Sequence, residues 1–314
     1  MGSWREEYRA SLKSMDTEEH IDLAFYRPIG FLWAKLAARL GVTPNAITIA
    51  SIFLGIGAGV AFYYPQMWVN LIGILLLVWA NSFDSADGQL ARMTHQYSRW
   101  GRILDGLSGD FWFVAIYIAI VLRENRDIPF FHAHGWIMWV LAVTAGLFHA
   151  KQAAMADYYR QFHLYILNGS GGSELDSSSD LRAALNAPGM SMWRRLTARI
   201  YLNYTRQQEA SSPAMQAMRA ELRRRFPDGR IPARFRSDFR EASLPLMKYT
   251  NILTFNWRSI GLFASILAGY PWLYFVYELV VLNNILLYMV IRHEGICRYF
   301  TRELENGAYK GDNI

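Results

Sequence analysis

Residues 46–64 run for nineteen positions without a charged side chain, and a helix needs about 20 apolar residues to cross a bilayer's hydrocarbon core. A single segment can satisfy its backbone in lipid only as a helix, so this stretch confines the chain to helical membrane architectures. Further apolar runs occupy 67–83, 111–122, 135–150, 260–270 and 273–291, the last two joined by a Tyr-Pro-Trp connection. The expectation is an all-α integral membrane protein with six transmembrane helices. Charged residues form only 18% of the chain, against roughly 25% in a soluble domain, which agrees with that class.

Lys and Arg collect on the cytoplasmic side of membrane proteins. Here they fall in the N-terminal segment, in 92–102, in 151–248 and after Arg292, while the opposite loops hold only Arg123 and Arg126. Both termini are therefore expected in the cytoplasm, in a multi-pass protein of the cell (inner or plasma) membrane. The charged N-terminus lacks the apolar core of a signal peptide. Cys297 is the single cysteine, so neither an intrachain disulfide nor a cysteine metal cluster can form. A net charge of +6 fits an anionic partner such as membrane lipid or a phosphorylated substrate. The basic residues are interleaved with spans and form no nucleic-acid motif, which argues against nucleic acid.

Four regions follow. Residues 1–42 form an N-terminal interfacial amphipathic helix and juxtamembrane segment, with Phe25, Tyr26, Ile29, Phe31, Leu32 and Trp33 toward lipid and Lys35 and Arg39 toward headgroups. Residues 43–168 hold helices 1–4, the first opened by Pro44, whose missing N–H costs nothing there. Residues 169–244 are a cytoplasmic helical insertion that begins in a Gly-Ser linker at 169–173. Between 182 and 240 it has thirteen arginines, no lysine and four carboxylates, with amphipathic helical periodicity over 193–204 and 214–226. It is either a solvated insertion or a platform resting on anionic headgroups. Residues 245–314 hold the last two helices and the tail.

The chemistry concentrates in 84–110. Asp84 and Asp87 are three apart and share a helix face. Gly88 and Ala91 leave that helix thin, and Arg92 follows about two turns on. The next helix presents Gly101 and Asp105 four apart, with Asp110 beyond. Charges at membrane depth are costly and mark function. Converging carboxylates call for a cation between them, and oxygen-only ligands favour hard ions such as Mg²⁺, Mn²⁺ or Ca²⁺. Two such ions could brace a pyrophosphate.

This stretch resembles the signature of the CDP-alcohol phosphotransferase (CDP-alcohol phosphatidyltransferase) family, D-x2-D-G-x2-A-R-x8-G-x3-D-x3-D. Seven of its eight fixed positions match at the stated spacing; at ordinary residue frequencies a chance match is on the order of one in a million. The six spans, the N-terminal amphipathic helix and Thr43-Pro44-Asn45 extend the resemblance to about three-quarters of the chain, leaving the arginine-rich insertion outside. It implies that Asp84, Asp87 and Asp105, with Asp110, ligate a two-metal Mg²⁺ or Mn²⁺ site. Asp84, Gly88, Ala91, Arg92 and Gly101 would bind the cytidine nucleotide, Arg92 at its phosphates. The acceptor hydroxyl would attack the phosphorus distal to cytidine, with CMP leaving. The family's last aspartate should fall at 109, which is Gly109; the carboxylate comes one residue later, about 100° round a regular helix. A one-residue π-type bulge at 106–109 would restore it and leave Asp110 as the base, with Asp105 beside it in catalysis.

Asn45 and Thr48 either cap helix 1 or touch the nucleotide. Lys151, Arg258 and Arg292 either snorkel at the interface or receive the phosphate of an anionic acceptor, to which Lys and Arg are suited. His149 and His293 suit core or interface roles, Ser82 and Gln89 local helix contacts, and Glu278, Asn283 and Asn284 helix–helix contacts. The leading reading is a metal-dependent transferase of phospholipid biosynthesis. CDP-diacylglycerol would give its phosphatidyl group to a small polar alcohol, with inositol phosphate or inositol ahead of glycerol phosphate. The alternatives are CDP-choline or CDP-ethanolamine donating a headgroup to diacylglycerol or ceramide, and a nucleotide-lipid binding or scaffold protein without its base. Two copies could pair as a homodimer. A transporter is disfavoured, since paired broken helices are missing.

Overall fold

The computed structural model describes residues 6–8, 11, 16–96, 99–169, 175–185 and 191–309, without the side chains of Arg99, Trp100, Arg102, Ile103 and Trp193. The linker expected at 169–173 lies, except for Gly169, outside the described residues. Every regular element among them is helical. The chain divides into two compact units, one of Met1–His149 with Phe255–Val281, the other of Ala150–Thr254 with Leu282–Ile314.

In the first unit a π-helical turn, Asp22–Tyr26, leads into α1 (Arg27–Leu40). Gly41, at φ 69°, ends α1 in the left-handed conformation that glycine adopts without strain. The chain turns at once into α2 (Pro44–Phe62), where Pro44 takes the first helical position as its sequence predicts, while the cap that accepts the Ala46 N–H is Thr43 and not Asn45 or Thr48. Next come α3 (Met67–Thr94) and α4 (Arg99–Asp127). Small residues let these helices close up. A Cβ at Gly55 would stand 2.0 Å from the Trp112 ring, and one at Gly59 2.9 Å from the backbone of Ala115. Close backbone approach replaces the hydrophobic effect as the packing device in lipid. The core behind it joins Ala58, Phe62, Leu77, Trp112, Ile116 and Ile266.

The fifth long helix, α5 (Gly135–Asn168), runs on well past the apolar window that ends at Ala150. In the second unit it is followed by α6 (Ser178–Leu185), α7 (Met192–Ala210), α8 (Pro213–Arg225), α9 (Ala233–Ser243) and the single-turn α10 (Met247–Ile252). Phe239 stands edge-on to both Phe162 and Phe300 at this unit's centre, at 5.7 and 5.5 Å. Glu294 accepts the N–H groups of Ala214 and Met215, closing the start of α8 from far along the chain.

Among the described residues five helices are long and apolar enough to cross a membrane: α2, α3, Leu104–Asp127 within α4, α5, and α12 (Leu273–Glu305). The run at 260–270 falls in α11 (Phe255–Leu267), whose 13 residues reach about 20 Å, short of the ~30 Å core. Gly269, at φ 81°, and Pro271 stop it there.

Candidate active site

The first unit brings three carboxylates together. Asp84 and Asp87, one turn apart on α3, meet Asp105 of α4, and one oxygen from each lies within 4.8 Å of the other two. Asp87 is buried, Asp84 half-buried and Asp105 exposed. The spacing-of-three argument thus holds, and α4 supplies the third oxygen from across the helix pair.

Hydroxyls hold these carboxylates in place. Thr48 of α2, itself buried, donates to Asp87 Oδ2. It neither merely caps α2 nor stands apart from the aspartates. Ser108 donates to Asp84 Oδ1 at 2.7 Å, with its Oγ also 2.8 Å from the Asp105 carbonyl oxygen. Sequence reasoning missed Ser108, although its place three residues after Asp105 puts both on one face of α4.

Asp110 stands differently. The π-type bulge expected at 106–109 does not form; α4 is α-helical from Arg99 to Asp127. A regular helix keeps every i→i−4 bond, and Gly106 and Gly109 face open space, so nothing presses α4 out of register. Asp110 is exposed, points about 140° round the helix from Asp105, and is not one of the three converging carboxylates. His149 is close enough to act on it electrostatically.

Arg92 folds back along α3 so that its guanidinium lies 3.4 Å from where a Gly88 Cβ would be, and its Nε donates to the Ser11 carbonyl at 2.6 Å. A Cβ at Gly88 would stand in ordinary contact with that guanidinium. Ala91, Gly101 and Asn45 are half-buried. Gln89 is fully buried and ties α3 to the N-terminal segment, donating to Ser11 Oγ and the Arg27 carbonyl.

The three basic residues separate. Arg258 does not snorkel: it is 1% exposed, and its Nη1 donates to Glu278 Oε1 at 2.7 Å. Glu278 also accepts from Tyr274 at 2.7 Å and from Tyr117, with His149 Nδ1 3.0 Å away. This buried cluster sits on a π-helical turn, Tyr277–Leu282, within α12. Lys151 donates to Ser211 Oγ and the Gln207 carbonyl within the second unit. Arg292 is exposed, while the neighbouring His293 is buried and stacks on Tyr159 at 4.2 Å. Asn283 accepts from Gln152, a helix–helix contact of the expected kind.

Residues 41–163, which contain the whole carboxylate arrangement, match the family model for CDP-alcohol phosphatidyltransferase. An archaetidylinositol phosphate synthase of Pyrococcus horikoshii is 41% identical over 71 residues, 23% of this chain and 36% of that protein. A CDP-diacylglycerol–glycerol-3-phosphate 3-phosphatidyltransferase of Yersinia pestis is 32% identical over 84 residues, 27% and 41% of the two chains. One of the same name from Salmonella choleraesuis is 31% identical over 101 residues, 32% and 50%. The chain thus spans between about a third and half of the length of these curated relatives. Residues 41–163 are therefore similar to the CDP-alcohol phosphatidyltransferase family.

Proposed function

We propose that this chain is an integral membrane transferase of phospholipid biosynthesis, moving a phosphatidyl group from CDP-diacylglycerol to a small polar alcohol and releasing CMP. One observation carries the reading: oxygens of Asp84, Asp87 and Asp105 converge within 4.8 Å inside the stretch similar to the family. Like charges gathered at the ends of membrane helices are costly unless they serve a charged ligand. The all-oxygen donor set fits a hard divalent ion, and Mg²⁺ or Mn²⁺ bound by these three residues supplies neutralisation of charge on the diphosphate and leaving oxygen.

The chain's own residues do the rest. Thr48 and Ser108 fix the directions of Asp87 and Asp84. Gly88, Ala91 and Gly101 leave room for the nucleotide, and Asn45 and Arg92 bind it. The acceptor's hydroxyl oxygen bonds to the phosphorus distal to cytidine, the bond from that phosphorus to the CMP oxygen breaks, and the hydroxyl proton goes to Asp110, which has to turn in from its place about 140° round α4 from Asp105. The acceptor in this reading is inositol phosphate or inositol, with glycerol phosphate next, in line with the two kinds of relative named above. Lys151 and Arg292 are assigned to an acceptor phosphate on their charge alone, and Arg258 to a positioning role through Glu278 and His149. In the same reading the sixth crossing falls at α11, which at 13 residues needs the residues before Phe255 to reach through the core; α1 lies in the interface, 169–244 is a cytoplasmic insertion and both termini are cytoplasmic.

The test is CMP release by the purified protein from CDP-diacylglycerol with Mg²⁺ or Mn²⁺ and a panel of polyol and phosphopolyol acceptors. Metal-dependent release with one acceptor is expected. No release with any acceptor overturns the reading in favour of a binding protein. Asp110→Asn should lower turnover by about 10²- to 10⁴-fold, the usual scale for a general base; unchanged turnover removes Asp110 from the mechanism.

A further inference from the structure

The arginine-rich helices of the second unit form a built cavity that the transferase reading leaves unused. It measures about 570 Å³ and lies between α6 and α7. Arg182 of α6 and Arg195, Arg199 and Arg206 of α7 line it, together with Leu185, Leu202 and Asn203. On α7 these positions, 195, 199, 202, 203 and 206, recur at helical intervals of three or four, so one face of the helix carries all of them.

The carboxylates near the groove have other partners, and Asp180 of α6, which is exposed, accepts from the Ser179 hydroxyl at 3.4 Å. Asp176 accepts from the Tyr201 hydroxyl at 2.7 Å, and Glu209 accepts the Ser178 N–H at 3.0 Å, closing the start of α6. Among the described residues no ion pair involves Arg182, Arg195, Arg199 or Arg206. Four guanidinium groups opening on one groove repel one another and complement an anion, and the planar guanidinium suits phosphate oxygens.

A second feature points to the source of that anion. About 100° round α7 from the arginine row runs a second row, Met192, Leu196, Ile200 and Tyr204, spaced by four. All four are exposed, Met192 at 86% and Ile200 at 64%. The side of α7 away from the apolar row is anchored: Leu202, Thr205 and Gln208 are buried, and Gln208 donates to the Ala154 carbonyl at 2.8 Å. A pinned helix with an apolar row and a flanking cationic row has the pattern of a helix lying in a bilayer interface. A soluble phosphate would use the arginines and leave the apolar row in water.

We propose that the α6–α7 groove binds the phosphate of an anionic phospholipid, with the Met192–Leu196–Ile200–Tyr204 row dipping among the acyl chains. The assignment stands apart from the transferase reading and calls on none of the carboxylate-site residues. Arginines at an anionic surface each contribute about fivefold to partitioning, so removing two should weaken the attachment about 25-fold.

Full-length protein carrying Met192→Cys, labelled there with a polarity-sensitive fluorophore, is reconstituted in nanodiscs of phosphatidylcholine alone or with phosphatidylglycerol at about one lipid in three. The label should shift to the blue, and be quenched by bromine- or nitroxide-bearing acyl chains, only in the anionic discs. Arg195→Gln/Arg199→Gln should abolish the response, while Arg195→Lys/Arg199→Lys keeps it, which separates lost charge from a lost helix. The same shift in neutral discs, a response surviving the glutamine pair, or its loss in the lysine pair overturns the proposal. So does an inorganic phosphate titration in neutral discs that raises Tm in the parent but not in the glutamine pair, when the label is indifferent to anionic lipid; the groove then takes a soluble anion. CMP release in neutral micelles should be the same in all these variants.

Discussion

The first unit holds two carboxylate clusters that solve the problem of charge in a membrane protein in opposite ways. Glu278 is fully buried and surrounded by donors: the Arg258 guanidinium, two tyrosine hydroxyls and the His149 ring. Asp84, Asp87 and Asp105 instead lean toward one another, and neutral hydroxyls of Ser108 and Thr48 supply bonds at two of them. At Glu278 opposite charges lie 2.7 Å apart, so the protein itself compensates the desolvation. At the triad the protein adds negative charge to negative charge, an arrangement that stability alone would not select. Stability and function therefore separate by cluster, and each cluster predicts a different mutant phenotype.

The largest effect belongs to the triad. Asp84→Asn, Asp87→Asn or Asp105→Asn should each cut metal-dependent CMP release by about 10³-fold or more, since a bound metal contributes several kcal/mol of charge stabilisation. The same variants should unfold no earlier than the parent, because a like charge has been removed. Lower stability with full activity in Asp105→Asn would break the contrast.

Glu278 should behave in reverse. Glu278→Gln leaves a guanidinium buried without its carboxylate, which typically costs about 3–5 kcal/mol; the unfolding midpoint of the detergent-solubilised protein reads this. Arg258→Met should cost a similar amount for the mirror-image reason. Arg258→Met/Glu278→Met, which removes both charges, should cost less than the two single changes added together. A Glu278→Gln variant that keeps its midpoint but loses turnover would move this cluster from scaffold to chemistry.

Thr48 sharpens the boundary between the two. Thr48→Val preserves shape and removes the donor to Asp87, so the metal concentration giving half-maximal activity should rise about 10- to 100-fold, the scale usual for partners behind a ligand. Thr48→Ser should restore most of it. An unchanged metal requirement in Thr48→Val would return Thr48 to the role of a local helix contact.

Much of this was legible in order along the chain and little of it across the chain. The Thr43-Pro44 start of α2 and the shared face of Asp84 and Asp87 depend on neighbours within four residues, and periodicity reports those. Helix lengths were read less well: α5 continues 18 residues past Ala150, because once packed a helix needs no apolar face toward lipid. Glu278 looked like a helix–helix contact, which it is. Its partners at 117, 149 and 258 could not be read, since no local rule relates residues 20 to 161 positions apart. The expected bulge near Gly106 and Gly109 failed because tolerance for a distortion is not a force that produces one.

Glu221 completes the comparison with a carboxylate that has an exposed arginine as a partner, and with the smallest effect. On α8 it accepts from Arg224 and Arg225, three and four residues on, both at 2.7 Å. These arginines hold its carboxyl down at about 2, from an ordinary 4.5. The folded pKa is the lower one, so the contribution to stability is fully present above pH 4.5 and fades as pH falls toward 2. Glu221 and Arg225 are largely covered, at 10% and 14%, but Arg224 is 68% exposed, so water screens its share of the pairing. Glu221→Gln should thus lower Tm by about 1 °C or less at pH 7, with the gap to the parent closing below pH 4.5. A gap as large as that of Glu278→Gln would mean that pairing alone sets the worth of these carboxylates. The expected difference of several-fold means that burial does, since the same kind of charge pair matters most where water cannot replace the missing partner.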